Sequence, residues 1–273
     1  MNRFYLWVAL LLSGLLACKS VPSQKVNQVT LDIGYEVSND SLIVHVNNTL
    51  ACPLRVKAGS EQEEIQAFLG QHFPLVIAAG KDTVFRSPTS LTKEELKIWM
   101  RSTFGDPADS LRLEPLSLPF PKGKTYEIVQ GYNGSFSHTT DYSRYAIDFN
   151  LQVGDTICAA ADGEVIGVIE AYTDGGNNRK WRDYANYITI FHPKLNLYTQ
   201  YVHLVHEGSL VEVGDLVKRG QAIGLCGLTG FTSGVHLHFN VLRATEEGMS
   251  SQPVSFEGDI DGHSLLRGQK IKK

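Results

Sequence analysis

Two histidines stand two residues apart in the stretch Thr232–Val241, which reads TSGVHLHFNV. Its apolar and β-branched residues alternate with a period of two, which predicts a strand after a glycine-rich approach. Alternate side chains of a strand share a face, so His236 and His238 would point the same way while Leu237 and Phe239 pack. Adjacent imidazoles are difficult to satisfy in a core, but they suit a metal centre. A His-x-His pair alone is a weak signal, so its meaning depends on the rest of the chain.

Three further stretches place one reactive side chain each in loop or apolar sequence. A loop ends at His138, Asp148 interrupts the apolar run YAIDF, and His203 interrupts the apolar run YVHL. A carboxylate inside an apolar strand is costly unless it is paired or bound to a metal. One Asp and four His thus recur in a single unit, and five unrelated structural roles would be a strained interpretation. Together they indicate a candidate metal centre.

The elements that must position these residues are strands. Glycine-containing turns separate strand-like runs from residue 126 onward, and few helical periods compete. The predicted strands cover residues 126–130, 145–150, 156–172, 186–191, 197–204, 222–225 and 235–243. This pattern predicts a mainly β fold, with an antiparallel, barrel-like domain over residues 119–273.

A small β-rich domain is predicted ahead of it, over residues 26–118. Alternation between Val29 and Val46 around a turn at 38–41 predicts a hairpin. No cluster of ligands or nucleophiles lies in this part, so its expected role is spacing or partner binding. The proline-rich stretch 114–124 is typical of a linker.

One or two short helices of this domain are predicted from capping motifs, Ser60-x-x-Glu63 and the stronger Thr92-x-x-Glu95. Thr92-x-x-Glu95 has the spacing of a capping box, and Leu96, Trp99 and Met100 would then share a helix face. Their expected role is core packing.

The N-terminus has the pattern of a secretory signal over residues 1–17. Arg3 is followed by an apolar run and small residues that end at Cys18. The run Leu15–Cys18 resembles a bacterial lipobox, which would make Cys18 a lipidated residue that anchors the chain to a membrane. Cleavage without lipidation and an uncleaved membrane anchor both stay open. Residues 18–25 are then interpreted as a polar tether, and the expected location is the cell envelope, outside the cytoplasm.

Charge and cysteine content exclude other classes of protein. The formal net charge of the 273 residues is −4 and no basic stripe is present, which excludes a nucleic-acid partner. No Cys-x-x-Cys spacing exists, so a thiolate zinc site is disfavoured. Cys158 and Cys226 are compatible either with a disulfide or with two buried thiols.

Taken together, the motifs between Ser137 and Phe239 resemble the lysostaphin-type (LytM-like) zinc metallopeptidases. They follow in the family's order and are specific as a set. The stretches concerned are SH (137–138), AID (146–148), VGDT (153–156), AAADGEV (159–165), NYITI (186–190), YVHL (201–204), VGD (213–215), GQAIG (220–224), GLTG (227–230) and HLHF (236–239).

The resemblance implies the site and the activity. By position, His138, Asp148 and His238 would hold Zn²⁺, with His203 and His236 as the catalytic pair. The implied fold is of the duplicated-hybrid-motif type. The implied function is a zinc endopeptidase that hydrolyses peptide crosslinks of bacterial peptidoglycan, whose stem or crosslink peptides would be its partners. A regulatory protein that masks the site is a further partner left open.

The spacing of the first two ligands departs from the family's pattern. Nine residues separate His138 from Asp148, whereas three are usual in much of the family. The expected cause is a longer loop between unchanged ligands, and Asp141 is the competing ligand. The polar insertion 173–183 would border the cleft or form a solvated loop.

Other polar residues have less specific interpretations. His192 and His206 lie in turn-like sequence and are expected at the surface. Tyr132 would either donate a hydrogen bond to an oxyanion or pack as an aromatic residue.

Two alternative functions remain at this point. One is a non-enzymatic member of the same fold that binds peptidoglycan or activates another hydrolase, although such members usually lack ligands and all five positions are filled here. The other is a biotinyl or lipoyl carrier, but Lys218 lacks the flanking residues that such a domain needs.

Overall fold

The computed structural model describes residues 20–273, and this part of the chain is mainly β with antiparallel sheets. The predicted signal segment and the lipidation of Cys18 fall outside the described residues and stay predictions. Within the described part, none of the helices has the length and apolar character needed to cross a membrane.

The N-terminal half consists of two three-stranded sheets that share one core. The elements of this half are β1 (Asp32–Ser38), β2 (Ser41–Asn47), β3 (Leu54–Ser60), α1 (Glu63–Gly70), β4 (Leu75–Ile77), β5 (Asp82–Pro88) and β6 (Ile98–Phe104). The sheets have the strand orders β1-β2-β5 and β4-β3-β6. The predicted hairpin is confirmed as β1 and β2. Asn39 and Asp40 have φ values of 48° and 55°, which a tight hairpin turn requires.

The helix predicted after Thr92 is wrong. The Glu95 carboxylate does accept a hydrogen bond from the Thr92 amide at 2.8 Å, but this closes a single turn. The chain then enters β6, which pairs with β3. A helix would have placed Leu96 and Trp99 on the same buried face. In the structure Leu96 is fully buried, whereas Trp99, which was expected in the core, is 48% exposed.

The C-terminal half is built on one large sheet. The strands of this half are β7 (Thr125–Gln130), β8 (Ile147–Phe149), β9 (Thr156–Cys158), β10 (Gly163–Ile169), β11 (Gly175–Gly176), β12 (Tyr187–His192), β13 (Leu197–Val202), β14 (Leu204–Ser209), β15 (Leu216–Val217), β16 (Ala222–Cys226), β17 (Gly230–Phe231), β18 (Leu237–Thr245), β19 (Gly248–Ser251), β20 (Ser255–Phe256), β21 (Ile260–Asp261) and β22 (Lys270–Lys272). The strand order of the large sheet is β15-β10-β12-β13-β18-β8-β7-β22, with β19 paired to β18. Smaller groups are β14-β16-β9, the parallel pair β11-β17, and β20-β21. Two 3₁₀ turns complete it, Arg179–Trp181 and Gly262–Ser264.

One row of residues crosses the middle of this sheet. Gln130 of β7 pairs with Asp148 of β8, which pairs with His238 of β18, which pairs with Val202 of β13. Directly opposed residues of antiparallel strands bring their side chains close together. The register of four strands therefore places two of the candidate side chains, Asp148 and His238, side by side with Gln130, and His203 follows directly after the fourth strand.

The stretch predicted as a linker is instead part of the C-terminal half. Leu116, Leu118 and Phe120 are almost completely buried in its main core cluster. The Ser117 amide donates to the Ala160 carbonyl at 2.8 Å. Prolines limit backbone donors here, but the alternating apolar side chains make the segment pack like a strand.

The two halves also share a smaller core. Leu50 and Cys52 pack with Phe191, Tyr198 and Leu242 of the large sheet. The N-terminal sheets therefore rest directly on the sheet that carries the candidate site.

The two cysteines considered for a disulfide are free thiols. Cys158 and Cys226 are both buried and unpaired in the structure. Burial raises the pKa of Cys226 to about 12, so this thiol stays protonated.

Candidate metal centre

Three potential ligand atoms converge at the centre of the row described above. His138, Asp148 and His238 each offer one atom, and these atoms lie within 4.8 Å of one another. His238 Nδ1 and His138 Nε2 lie 2.9 Å and 3.2 Å from Asp148 Oδ1. The two ring nitrogens are 3.2 Å apart. His138 is fully buried and Asp148 nearly so.

The hydrogen bonding of this cluster fits a cation. His138 Nδ1 donates to the Gly131 carbonyl at 2.8 Å, so the neutral ring presents a lone pair at Nε2. This lone pair faces His238 Nδ1 and a carboxylate oxygen. Three electron-rich atoms that converge in a buried place repel one another unless a proton or a cation lies between them. Two imidazoles and one carboxylate are a ligand set typical of zinc with an open fourth position.

Charge at the cluster shifts the pKa values of its members. Burial opposes ionisation of Asp148, but His236 and His138 outweigh it and hold the pKa of this carboxyl well below its usual range. Burial lowers the pKa of His138, yet the adjacent Asp148 outweighs it and raises the pKa overall. For His238, burial dominates and lowers the pKa. Asp148 is thus a carboxylate, the form that binds metal.

Gln130 supports both the ligand loop and the ligand carboxylate, a role that sequence reasoning missed. Its Nε2 lies 3.0 Å from Asp148 Oδ2 and 2.9 Å from Ser137 Oγ. Its Oε1 accepts from the Phe136 amide at 3.1 Å. Partners of this kind orient metal ligands. The only available signal was the position of Gln130 at the end of a predicted strand.

His203 stands beside the cluster in an unusual backbone conformation. Its φ is 72°, in the left-handed region that a non-glycine residue rarely adopts. Its Nδ1 donates to the Thr229 carbonyl at 2.7 Å, which leaves a lone pair at Nε2. Burial, followed by His236 and His238, holds its pKa well below the usual value. The ring is therefore a neutral base.

Asn186 holds the turn that carries His203. The Asn186 carbonyl accepts from the His203 amide at 2.9 Å, and its side-chain Nδ2 donates to the carbonyls of Tyr172 and Val205. The Asn186 amide donates to the Thr229 hydroxyl at 3.0 Å. One fully buried residue thus fixes both the strained residue and its hydrogen-bond partner. It was expected in a strand, but not in this role.

His236 completes the group. Its Nδ1 donates to the Gly234 carbonyl at 2.9 Å and lies 3.2 Å from the Thr232 hydroxyl. Its Nε2 points at the cluster, 3.7 Å from Asp148 Oδ2. Its ring centroid is 4.7 Å from that of His203. The five residues proposed from the sequence therefore meet in one place.

The long loop between His138 and Asp148 is a structured insertion. The Ser143 hydroxyl donates to the Ser137 carbonyl at 2.8 Å, and Asn240 Nδ2 donates to the Tyr142 carbonyl at 2.7 Å. Asp141, the competing ligand, is exposed and forms an ion pair with Arg144. It does not belong to the converging group.

Three other sequence predictions have clear outcomes. The Tyr132 hydroxyl accepts from the Val254 amide at 2.7 Å, so this residue has the packing role rather than facing the cluster. The surface position predicted for His192 is wrong, because its side chain is fully buried between the Asp162 carbonyl and the Thr199 hydroxyl. His206 is exposed as predicted.

A cavity of about 630 Å³ opens beside His203 and His238. The insertion 173–183 borders it through Arg182 and Asp183. The residues predicted as a tether end here, since Lys25 forms an ion pair with Asp183 and also lines the cavity. A substrate can therefore reach the candidate ligands from this side.

Residues 142–253 match the model of Peptidase family M23. This stretch includes Asp148, His203, His236 and His238, and it begins just after His138. The C-terminal half therefore carries a domain of the LytM-like metallopeptidase family.

Similarity to two curated proteins agrees with this assignment. The chain is 35% identical over 130 residues to an uncharacterised metalloprotease of Buchnera aphidicola, covering 46% of this chain and 31% of that protein. It is 32% identical over 183 residues to the peptidoglycan DD-endopeptidase ShyB of Vibrio cholerae, covering 65% and 38%. The chain thus spans about a third of the length of these curated relatives. Among solved structures, the catalytic domain of lysostaphin from Staphylococcus simulans matches with a TM-score of 0.34 at 24% identity, over 48% of this chain and 87% of that one.

Proposed function

We propose that this protein is a zinc-dependent endopeptidase that hydrolyses peptide crosslinks of bacterial peptidoglycan in the cell envelope. The observation that carries the proposal is the convergence of His138 Nε2, Asp148 Oδ1 and His238 Nδ1 beside the neutral imidazole of His203. The family of the domain and the DD-endopeptidase activity named for ShyB support it.

His138, Asp148 and His238 would hold the metal. Zinc bound there would polarise the scissile carbonyl and lower the pKa of an attacking water. Asp148 is fixed by Gln130 through its second oxygen, so its first oxygen stays directed at the two imidazoles. The remaining chemistry falls to side chains that do not hold the ion.

His203 is the proposed general base. Its Nδ1 hydrogen is committed to the Thr229 carbonyl, so only Nε2 can accept a proton from the attacking water. His236 is the proposed partner on the other side. With Nδ1–H on the Gly234 carbonyl, only the imidazolium form of His236 carries a second N–H at Nε2, and this donor would stabilise the developing oxyanion.

The proposed location is outside the cytoplasm, where peptidoglycan lies. The sequence pattern that ends at Cys18 supports delivery as a lipoprotein. Incorporation of labelled palmitate in wild type and in Cys18→Ser would test this. Labelling that persists in the variant would rule out Cys18 as the lipid site.

Cleavage of defined muropeptides tests the activity. The purified chain is incubated with cross-linked dimers, and products are identified by mass. We expect cleavage that a chelator abolishes and zinc restores, and that is lost in His203→Ala. The matched control is His206→Ala, which alters an exposed histidine three residues away. Full turnover by His203→Ala, or no cleavage by the zinc-loaded wild type, would contradict the proposal.

A further inference from the structure

A second cavity of about 590 Å³ adjoins the one beside the metal centre. The two cavities share the lining residues Val26, Asn27, Tyr142, Tyr187 and Gln200, so they are directly adjacent, and together they are called the groove. The second cavity lies between the large sheet and the N-terminal half. A ligand bound at the metal centre can extend into it.

One wall of the second cavity is the free edge of a strand. Five consecutive residues, Met100–Phe104 of β6, line it. Successive side chains of a strand point to opposite faces, so an unbroken run of lining residues indicates contact along the strand's edge. β6 pairs only with β3 among the described strands, and within residues 20–273 no other backbone hydrogen bond reaches Met100–Phe104. The outer amides and carbonyls of β6 are therefore available to a ligand.

The floor of the groove is a run of neutral polar groups. The Tyr142 hydroxyl donates to Gln200 Oε1 at 3.1 Å, and Gln200 Nε2 lies 3.4 Å from the Thr189 hydroxyl. The Thr189 hydroxyl in turn donates to Gln28 Oε1 at 3.1 Å. Amide and hydroxyl groups of this kind suit a ligand that is itself rich in amides.

Arg101 is the single charged residue in the lining as far as the structure describes it. Its guanidinium carbon lies 5.5 Å from the centre of the Trp99 ring, and in the described part of the chain it has no carboxylate partner. Among the described residues, the lining includes no Asp or Glu. The charge of the cavity therefore favours a ligand that carries a carboxylate.

We propose that the second cavity is a distal subsite for the second peptide arm of a cross-linked substrate. The arm lies extended along the free edge of β6 and places a carboxylate on Arg101. This rests on the proposed function, because it concerns the substrate of the same metal centre. Main-chain pairing to a strand edge binds an extended peptide irrespective of most of its side chains, and the arginine adds selectivity for the free acid.

Kinetics on two substrates test the subsite. One is a cross-linked dimer with a free carboxylate on its second arm, and the other is a short peptide with the same scissile bond and no second arm. In Arg101→Gln we expect KM for the dimer to rise about tenfold with kcat unchanged, and both constants for the short peptide to stay the same. The matched control is Arg86→Gln, an exposed arginine on β5, which should change neither. An unchanged KM for the dimer in Arg101→Gln, or an equal rise with the short peptide, would overturn the proposal.

Backbone amide exchange tests the strand edge without any substitution. Binding of the dimer should slow exchange in Met100–Phe104, whereas the short peptide should leave it unchanged. Unaltered exchange with saturating dimer would overturn pairing to β6. Failure of the proposed function would give a different result, because the wild type would then cleave neither substrate. Dimer binding and amide exchange in Met100–Phe104 would still show whether the groove holds the second arm.

Discussion

The imidazole Nδ1 of His203 donates to the backbone carbonyl of Thr229 across 2.7 Å. This single contact selects the tautomer with a lone pair at Nε2, and the ring centroid lies 4.7 Å from that of His236 and 6.1 Å from that of His238. The Thr229 hydroxyl donates to the Leu204 carbonyl at 2.8 Å and accepts from the Asn186 amide. The partner of the proposed base is therefore itself held in place from two sides.

Removing the Thr229 hydroxyl should lower catalysis without removing the metal. In Thr229→Val, the Asn186 amide is left without its acceptor, which costs about 1–3 kcal/mol and loosens the carbonyl that orients His203. We expect kcat to fall about tenfold or more while KM and zinc content stay near wild type. Exposed Thr173→Val serves as the control. Loss of zinc in Thr229→Val would show that the residue supports the ligands instead.

The left-handed backbone of His203 should appear as a cost in stability. In the folded state, a residue with a Cβ at φ 72° is strained by about 1–2 kcal/mol relative to glycine. Glycine also makes the unfolded chain more flexible, and this offsets part of its advantage in the folded state. In urea unfolding with a chelator present, we expect His203→Gly to be more stable than His203→Ala by about 1 kcal/mol. Both variants lack the imidazole, so the lost hydrogen bond cancels. An alanine variant as stable as the glycine variant would contradict strain at this position.

Buried His192 should make stability depend on pH. Burial lowers its pKa to about 4, against 6.5 for the ordinary side chain. The unfolded chain thus gains a proton below about pH 6.5 that the folded chain takes up only near pH 4, so acid favours unfolding in this window. We expect the residue to cost about 3 kcal/mol of unfolding free energy between pH 6.5 and 4.

Two variants isolate this effect in denaturant titrations. In His192→Gln the fall in stability across this pH window should be shallower than in wild type. Exposed His206→Gln should leave the profile unchanged. The interpretation fails if His192→Gln and wild type lose stability in parallel.

Gln130 should affect the affinity for zinc rather than the chemistry itself. Gln130→Met keeps the length of the side chain but removes the donor to Asp148 Oδ2 and the acceptor for the Phe136 amide. Because such partners orient ligands, we expect zinc affinity to fall about tenfold in competition with a chromophoric chelator. Exposed Gln71→Met is the control. Wild-type affinity in Gln130→Met would remove Gln130 from the support of the site.

The strands of the C-terminal half could be predicted because their alternation and turn residues are local signals. The candidate residues could be found for the same reason, since Asp148 and His203 stand out against apolar neighbours. The supports could not be found in this way. Asn186 and Thr229 are far apart in the sequence and come into contact only in the folded chain. No local sequence pattern around Gln130 indicates its contact with Asp148.

The wrong predictions for the stretch after Thr92, for the proline-rich stretch 114–124 and for His192 have a related origin. Leu96, Trp99 and Met100 fit a helical period, but pairing of β6 with β3 outweighs this local preference. The prolines around Leu116 and Leu118 made this stretch resemble a linker in sequence, although both residues belong to the main core. His192 resembles a turn residue in sequence, whereas the hydroxyl and the carbonyl that satisfy it come from other segments.

Metal content of single variants, measured by elemental analysis on purified chains, tests the central claim most directly. Wild type, His203→Ala and His236→Ala should each bind about one zinc ion per chain, while His138→Ala, Asp148→Asn and His238→Ala should lose it. All five variants should be inactive on muropeptide dimers, whereas His206→Ala should retain both zinc and activity. Full zinc content in any of the three ligand variants, or loss of zinc in His203→Ala, would contradict the account.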